Sequence, residues 1–177
     1  GSDKLTDLAV LKIEAEEDLP YVTFSKETKT KVGDWVVTVG NPFGLGNTVT
    51  AGIVSAHHRQ IGQGPYDDFI QIDAPINKGN SGGPAFNTQG EVIGVNTAIF
   101  SPTGGSVGIG FAIPAATADK IVAKLKSDGK VARGWLGVEI QPVNNGIAEG
   151  LGLDKPKGAI VARVIPESPA DEAGVKS

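Results

Sequence analysis

The 177-residue chain carries 20 acidic and 16 basic residues, a net charge of −4, with 40% hydrophobic residues and no cysteine. This balance suits a chain that buries its own core. It excludes a disulfide framework, a thiol nucleophile and a thiolate zinc site, and the interspersed charges leave no basic stripe for nucleic acid. No apolar run approaches the ~20 residues that cross a bilayer, and acidic residues occupy the first thirty positions where a signal peptide would be apolar. No stable membrane insertion is expected.

Glycine is the outlier, at 25 residues beside 11 prolines. Spread among β-branched runs, these residues predict short strands joined by tight turns, hence an all-β barrel or sandwich. In chain order, Leu8–Ile13 predicts a strand buried on both faces. Trp35–Val39 follows the turn signal Gly33-Asp34 and is closed by Gly40-Asn41-Pro42. Further strands are expected at Thr48–Ser55, Phe69–Asp73, Val92–Thr97 and Gly108–Ile113. One helix follows Pro114: Ala118, Ile121, Val122 and Leu125 recur at helical spacing and Gly129 stops it. Beyond Lys130, Val138–Ile140 and Ala159–Ile165 read as strands and Ser168–Gly174 as a capped helical turn, too little to close a second core of ordinary size. The expected division is 1–130, with a linker helix at about 114–129, and an incomplete second domain over 134–177.

The chemistry concentrates in Asn77-Lys-Gly-Asn-Ser-Gly-Gly-Pro84. Glycines on both sides of Ser81 permit a tight loop that exposes the hydroxyl and turns backbone N–H groups toward one point. Such a loop serves either as an ordinary turn or as a nucleophile loop. In the second reading Ser81 attacks, and the N–H groups of Gly79 and Ser81 form the oxyanion hole, each donor contributing roughly 3 kcal/mol.

The string Gly-Asn-Ser-Gly-Gly-Pro resembles the nucleophile loop of trypsin-like serine proteases, and its surroundings resemble the HtrA family, the DegP- and DegQ-like proteases of the bacterial envelope. Thr6-Asp-Leu-Ala-Val-Leu-Lys12 resembles the strand carrying the triad aspartate, which falls on Asp7. Gly33-Asp-Trp-Val-Val, Gly40-Asn-Pro-Phe-Gly-Leu-Gly46, Phe69–Ala74, Ile93–Ala98 and Gly108–Pro114 match in order. The resemblance implies a trypsin-like double β-barrel, its N-terminal barrel incomplete here, followed by the start of a PDZ domain. It implies an ATP-independent, cofactor-free, periplasmic serine endopeptidase that degrades unfolded proteins, in homo-oligomers built on trimers, with a chaperone-like function.

In trypsin-like proteases the general-base His precedes the Asp. Only six residues precede Asp7, none of them His, so the chain by itself is expected to be inactive. Gly1-Ser2 reads either as a cloning scar or as native sequence. His57 and His58 follow the strand ending at Ser55 and do not match the catalytic position. Neither a base role nor a metal site with Asp67 and Asp68 is expected of them, and no metal is predicted. The substrate pocket maps to Ile76 and Asn77 and to Gly108, Ile109, Gly110 and Phe111. Without charge at its base and shortened by Ile76, it implies a small aliphatic P1 residue, although Ile76 also reads as core. Gly134, Trp135, Leu136 and Gly137 resemble a PDZ carboxylate-binding loop. The alternative function is a non-cleaving chaperone or peptide-binding protein, and a second is an inert assembly module with a collapsed Ser81 loop.

Overall fold

A computed structural model describes residues 1–26 and 30–177. The chain divides into two compact units, Gly1–Val131 and Ala132–Ser177. The first opens with a hairpin of two-residue strands, β1 (Ser2–Asp3) and β2 (Leu8–Ala9). Six strands follow: β3 (Trp35–Gly40), β4 (Thr48–Arg59), β5 (Phe69–Ile72), β6 (Pro84–Phe86), β7 (Val92–Ile99) and β8 (Gly110–Pro114). Their antiparallel order β3-β4-β5-β8-β7-β6 closes when β6 pairs back onto β3. Helix α1 (Ala115–Asp128) completes the unit.

Closure leaves the barrel without edges, and alternation along its strands sorts the core into two clusters. Val36, Val54, Ile70, Ile72, Ala74, Ile76, Ala85 and Ile93 form one. Leu8, Phe69, Phe111, Ile113 and the stripe Ala118, Ile121 and Leu125 of α1 form the other. Neighbouring residues Phe69 and Ile70 of β5 serve opposite clusters, so both faces of this strand carry apolar side chains.

Three sequence expectations change. Leu8–Ile13 forms a regular strand only at Leu8–Ala9, extended by reciprocal bonds between Val10 and Gly1, and Leu11 and Ile13 are 87% and 61% exposed. A run buried on both faces needs a ladder and a cover, and among the described residues its ladder is the short Gly1–Asp3 segment. Strand β6 falls on Pro84–Phe86, where the Gly-rich loop obscured it, because proline is tolerated as the first residue of a strand. Pro114 precedes the first turn of α1 instead of lying in it, with an extended ψ of 141°. Gly129 ends that helix in the left-handed conformation, its N–H donating to Leu125 O.

The second unit pairs β9 (Val138–Pro142) with β10 (Ala159–Val164), and adds helices α2 (Asn145–Gly150) and α3 (Pro169–Glu172). The sequence pattern passed over α2, which is short and capped by the Asn144 side chain accepting from Ile147 N.

Candidate active site

The loop between β5 and β6 is two consecutive β-turns sharing Asn80. The N–H of Asn80 donates to Asn77 O at 3.0 Å, and that of Gly83 to Asn80 O at 3.0 Å. Each turn needs positive φ at its third residue, and glycine stands there both times: Gly79 at +109° and Gly82 at +83°. Ser81 is therefore carried at the exposed second corner of a turn, while Asn80 between the turns is only 2% exposed.

The first turn is held from outside by the loop after β3. Asn41 N–H donates to Gly79 O at 3.2 Å, and Phe43 N–H to Lys78 O at 2.9 Å. Gly79 sits so close to Asn41 that a Cβ there would strike the Asn41 carbonyl. Because C=O and N–H of a trans peptide point opposite ways, the bond from Phe43 to Lys78 O turns the Gly79 N–H away from that loop. Among the described residues, the amides of Asn80, Gly82 and Gly83 are spent inside the protein and those of Gly79 and Ser81 have no acceptor. Two free N–H groups beside an exposed hydroxyl are what an oxyanion site requires.

Ser81 and Asp7 are joined through one residue that the sequence reading left without a role. Thr97 lies where the pairing of β7 with β8 shifts register between Asn96 and Ala98, an irregularity of the kind that re-aims a side chain. Its hydroxyl donates to Asp7 Oδ2 at 3.2 Å, and its main-chain carbonyl accepts from Ser81 Oγ at 3.0 Å. Asp7 itself has φ of +56°, a conformation that costs a non-glycine residue energy and that clusters at functional sites. Thr97 stands inside the quoted string Ile93–Ala98, so the signal was present, but a hydroxyl in a strand has no pattern of its own.

Of the residues expected to line the pocket, the structure brings together Ile76 and Gly110. Ile76 is 1% exposed and packs onto Gly110, where a Cβ would come within 2.9 Å of Ile76 Cγ1. Asn77 Oδ1 accepts from Ser106 N–H at 2.9 Å, and Gly108 makes its turn with φ of +80°. Phe111 is not with them: it faces the α1 cluster, its ring 6.3 Å from that of Phe69, and Ile109 packs against the same cluster. The cause is the strand period of two, which sends Gly110 and Phe111 to opposite faces.

The histidines lie at the far end of β4. His58, at φ of +56°, pairs through Nδ1 with Asp68 Oδ1 at 2.8 Å in an exposed position. His57 Nε2 is buried without a hydrogen-bond partner. Among the described residues, no hydrogen bond joins either to Ser81 or Asp7. Asp67 instead organises the loop after β4: its carboxylate accepts from the N–H groups of Ile61 and Gln63, both at 2.9 Å. Desolvation pushes this carboxyl up, but backbone N–H groups of Gln63, Ile61, Gly62 and Gly64 outweigh it and hold the group below its ordinary value.

Within the second unit, Gly137 is buried with φ of +82°, and the Ser168 side chain fills the space a Cβ would need. The carbonyls of Leu136 and Gly137 accept from Ala170 N–H and Ile165 N–H, at 3.0 and 2.8 Å. Trp135 and Leu136 are exposed.

A family profile of the trypsin-like peptidase domain matches residues 1–95. The chain belongs to the trypsin-like peptidase domain family. The chain is similar over its whole length to two curated proteins, each named a probable periplasmic serine endoprotease, DegP-like. The one from Brucella suis biovar 1 (strain 1330) is 64% identical over 178 residues, and the one from Rhizobium meliloti (strain 1021) 60% identical over 177. The chain spans 35% of the length of each. Among solved structures, the HtrA-type protease AlgW with decapeptide matches at a TM-score of 0.87 and 49% identity, covering 99% of this chain and 54% of that one. The resemblance to HtrA-type proteases read from the motifs thus holds in both sequence and fold.

Proposed function

We propose that the peptidase domain belongs to a serine endopeptidase of the HtrA type, acting in the periplasm on unfolded or misfolded polypeptides. The observation that carries this reading is the pair of unspent N–H groups, Gly79 and Ser81, flanking a nucleophile that hydrogen bonding through Thr97 connects to Asp7. In the reaction, Ser81 Oγ attacks the scissile carbonyl, the oxyanion takes hydrogen bonds from the two N–H groups, and the amine leaves to give an acyl-enzyme that water hydrolyses. Asp7 orients the general-base histidine and stabilises it once protonated. Neither His57 nor His58 is assigned that role: His58 is bonded to Asp68, and among the described residues no hydrogen bond joins either histidine to Ser81 or Asp7. The reaction needs no cofactor or metal.

Ile76 and Gly110 close the base of the specificity pocket and favour a small aliphatic P1 side chain, with Gly108 shaping its rim. Residues 1–130 are the peptidase domain, and 134–177 the start of a PDZ domain in which Gly134, Trp135, Leu136 and Gly137 form the carboxylate-binding loop. A homo-oligomer built on trimers is the proposed assembly. An inert assembly module would need a collapsed Ser81 loop, whereas Ser81 is exposed. A fluorophosphonate probe tests the reading: in the full-length protein it should modify Ser81 at one equivalent per chain, with Ser81→Ala unmodified. An unmodified Ser81 in the full-length protein contradicts it.

A further inference from the structure

Asn80, the residue before Ser81, is 2% exposed, and the two ends of its carboxamide meet unlike surroundings. Its Nδ2 donates to the Pro75 carbonyl at the long distance of 3.5 Å. Its Oδ1 is buried without a hydrogen-bond partner and lies against Gly40 of β3, where an added Cβ would come within 2.5 Å of it. The same Pro75 carbonyl accepts from Thr50 Oγ1 at 3.0 Å. Thr50 has thereby used its one proton, so in its 2.7 Å pairing with Thr38 the buried Thr38 hydroxyl is the donor. A directional chain thus runs from the barrel wall, Thr38 to Thr50 to Pro75 O, and Asn80 meets it from the nucleophile loop. Both lone pairs of Pro75 O are filled, and no proton of the chain is left for Asn80 Oδ1. Exchanging the two ends of the carboxamide would set oxygen against oxygen at Pro75, which fixes its orientation.

We propose that Asn80 is a positioning residue for Ser81, a buried donor that must be neutral and that anchors the Asn80–Ser81 peptide to the barrel wall. Its N–H is held by Asn77 O at 3.0 Å and its side chain by Pro75 O, and these two ties fix its Cα. The bond from Gly83 N–H to Asn80 O, at 3.0 Å, then sets the rotation of the peptide that follows. Because C=O and N–H of that peptide point opposite ways, the Ser81 N–H is turned away from Gly83. A carboxylate in place of this carboxamide would set a charge where no donor waits among the described residues, and would lack the proton given to Pro75 O. The protonated acid would restore that proton through its hydroxyl. Burial holds the pKa of such an acid above the ordinary aspartate value. Neither β3 nor the chain from Asn41 to Gly46 carries a charged residue. Between β5 and β6 the charged residues are Lys78, which is exposed, and Asp73, which is exposed and accepts from Ile53 N–H at 2.6 Å.

The catalytic half of this inference rests on reading Ser81 as the nucleophile; the anchor does not. Residue-resolved amide exchange on the 177-residue chain tests the anchor directly. Asn80→Leu keeps the bulk of the side chain and removes its donor. Exchange at Gly83 should rise about fivefold, the ratio set by one hydrogen bond of ordinary strength, while the amides of α1 keep their protection. In Asn80→Asp, protection at Gly83 should match the wild type at acid pH and be lost, relative to the wild type at the same pH, as the introduced acid ionises. Unchanged exchange at Gly83 in both variants, or a rise shared equally by α1, would overturn the anchor. In the full-length protein, the rate of fluorophosphonate modification of Ser81 is taken relative to the wild type at the same pH, which cancels the titration of the general base. For Asn80→Asp this ratio should stand near one where the introduced acid is protonated and fall by about tenfold per pH unit above its raised pKa, toward the low, pH-independent ratio of Asn80→Leu. A ratio for Asn80→Asp that does not change with pH, at either level, overturns the positioning role. A wild-type protein that is never modified would overturn the peptidase reading and leave the exchange result standing.

Discussion

Replacing Gly79 by alanine separates the two reasons for glycine in the nucleophile loop, with Gly82→Ala as its control. Both glycines hold positive φ, +109° and +83°. A side chain in the left-handed region costs about 1–2 kcal/mol at either site. At Gly82 nothing lies within 4 Å of an added Cβ, so that cost is the whole effect. At Gly79 the Cβ meets the carbonyl of Asn41 and comes within 3.1 Å of Pro42 Cα, which forces the loop after β3 away. Its retreat breaks the bonds from Asn41 N–H to Gly79 O and from Phe43 N–H to Lys78 O, each worth about 1 kcal/mol. The expected losses are about 1–2 kcal/mol for Gly82→Ala and about 3–4 kcal/mol for Gly79→Ala, before any relaxation. Urea unfolding of the chain, followed by tryptophan fluorescence, gives both numbers as shifts in midpoint at constant slope. In the active protein, Gly79→Ala should also lower kcat by roughly 10²–10³, the usual consequence of losing an oxyanion donor. A Gly79→Ala variant no less stable than Gly82→Ala would refute the latch between the two loops.

Ile76→Ala should cost about 2–5 kcal/mol because a nearly fully buried side chain leaves a cavity; a loss under 1 kcal/mol in the same urea assay would place Ile76 outside the core. Asp67 holds its loop as a carboxylate with a depressed pKa, so its contribution is fully present above the ordinary aspartate value, near 3.9, and is lost as pH falls through the lower folded value. The amide shifts of Ile61 and Gln63 should accordingly titrate with a midpoint below that ordinary value and stay flat in Asp67→Asn; a midpoint above it contradicts the backbone cradle. Ser168→Ala removes the cap of α3 and the packing on Gly137, with an expected cost of about 1–2 kcal/mol. Amide exchange confined to residues 132–177 should report it, and unchanged protection there would count against the cap.

The barrel strands and α1 were legible because they follow period rules: Trp35–Gly40 is bracketed by turn residues, and Ala118, Ile121 and Leu125 share one helix face. Strand β6 was not, because three residues opening on proline carry no alternation to read. Leu8–Ile13 misled for the reverse reason, since composition reports that a run can be buried and not whether a partner covers it. At the site, Ser81 and Gly79 were visible through glycine spacing. Thr97 was not, because its bonds to Asp7 and Ser81 form only when distant segments meet. Phe111 was drawn into the pocket by sequence adjacency to Gly110, which a strand reverses.

The central claim is that Ser81 is a nucleophile served by the free N–H groups of Gly79 and itself. Fluorophosphonate modification of the full-length protein, mapped by peptide mass spectrometry, tests it most directly. One modified site at Ser81, absent in Ser81→Ala and slowed by two orders of magnitude or more in Gly79→Ala, is the predicted result. An unmodified Ser81, or equal modification of wild type and Gly79→Ala, would contradict it.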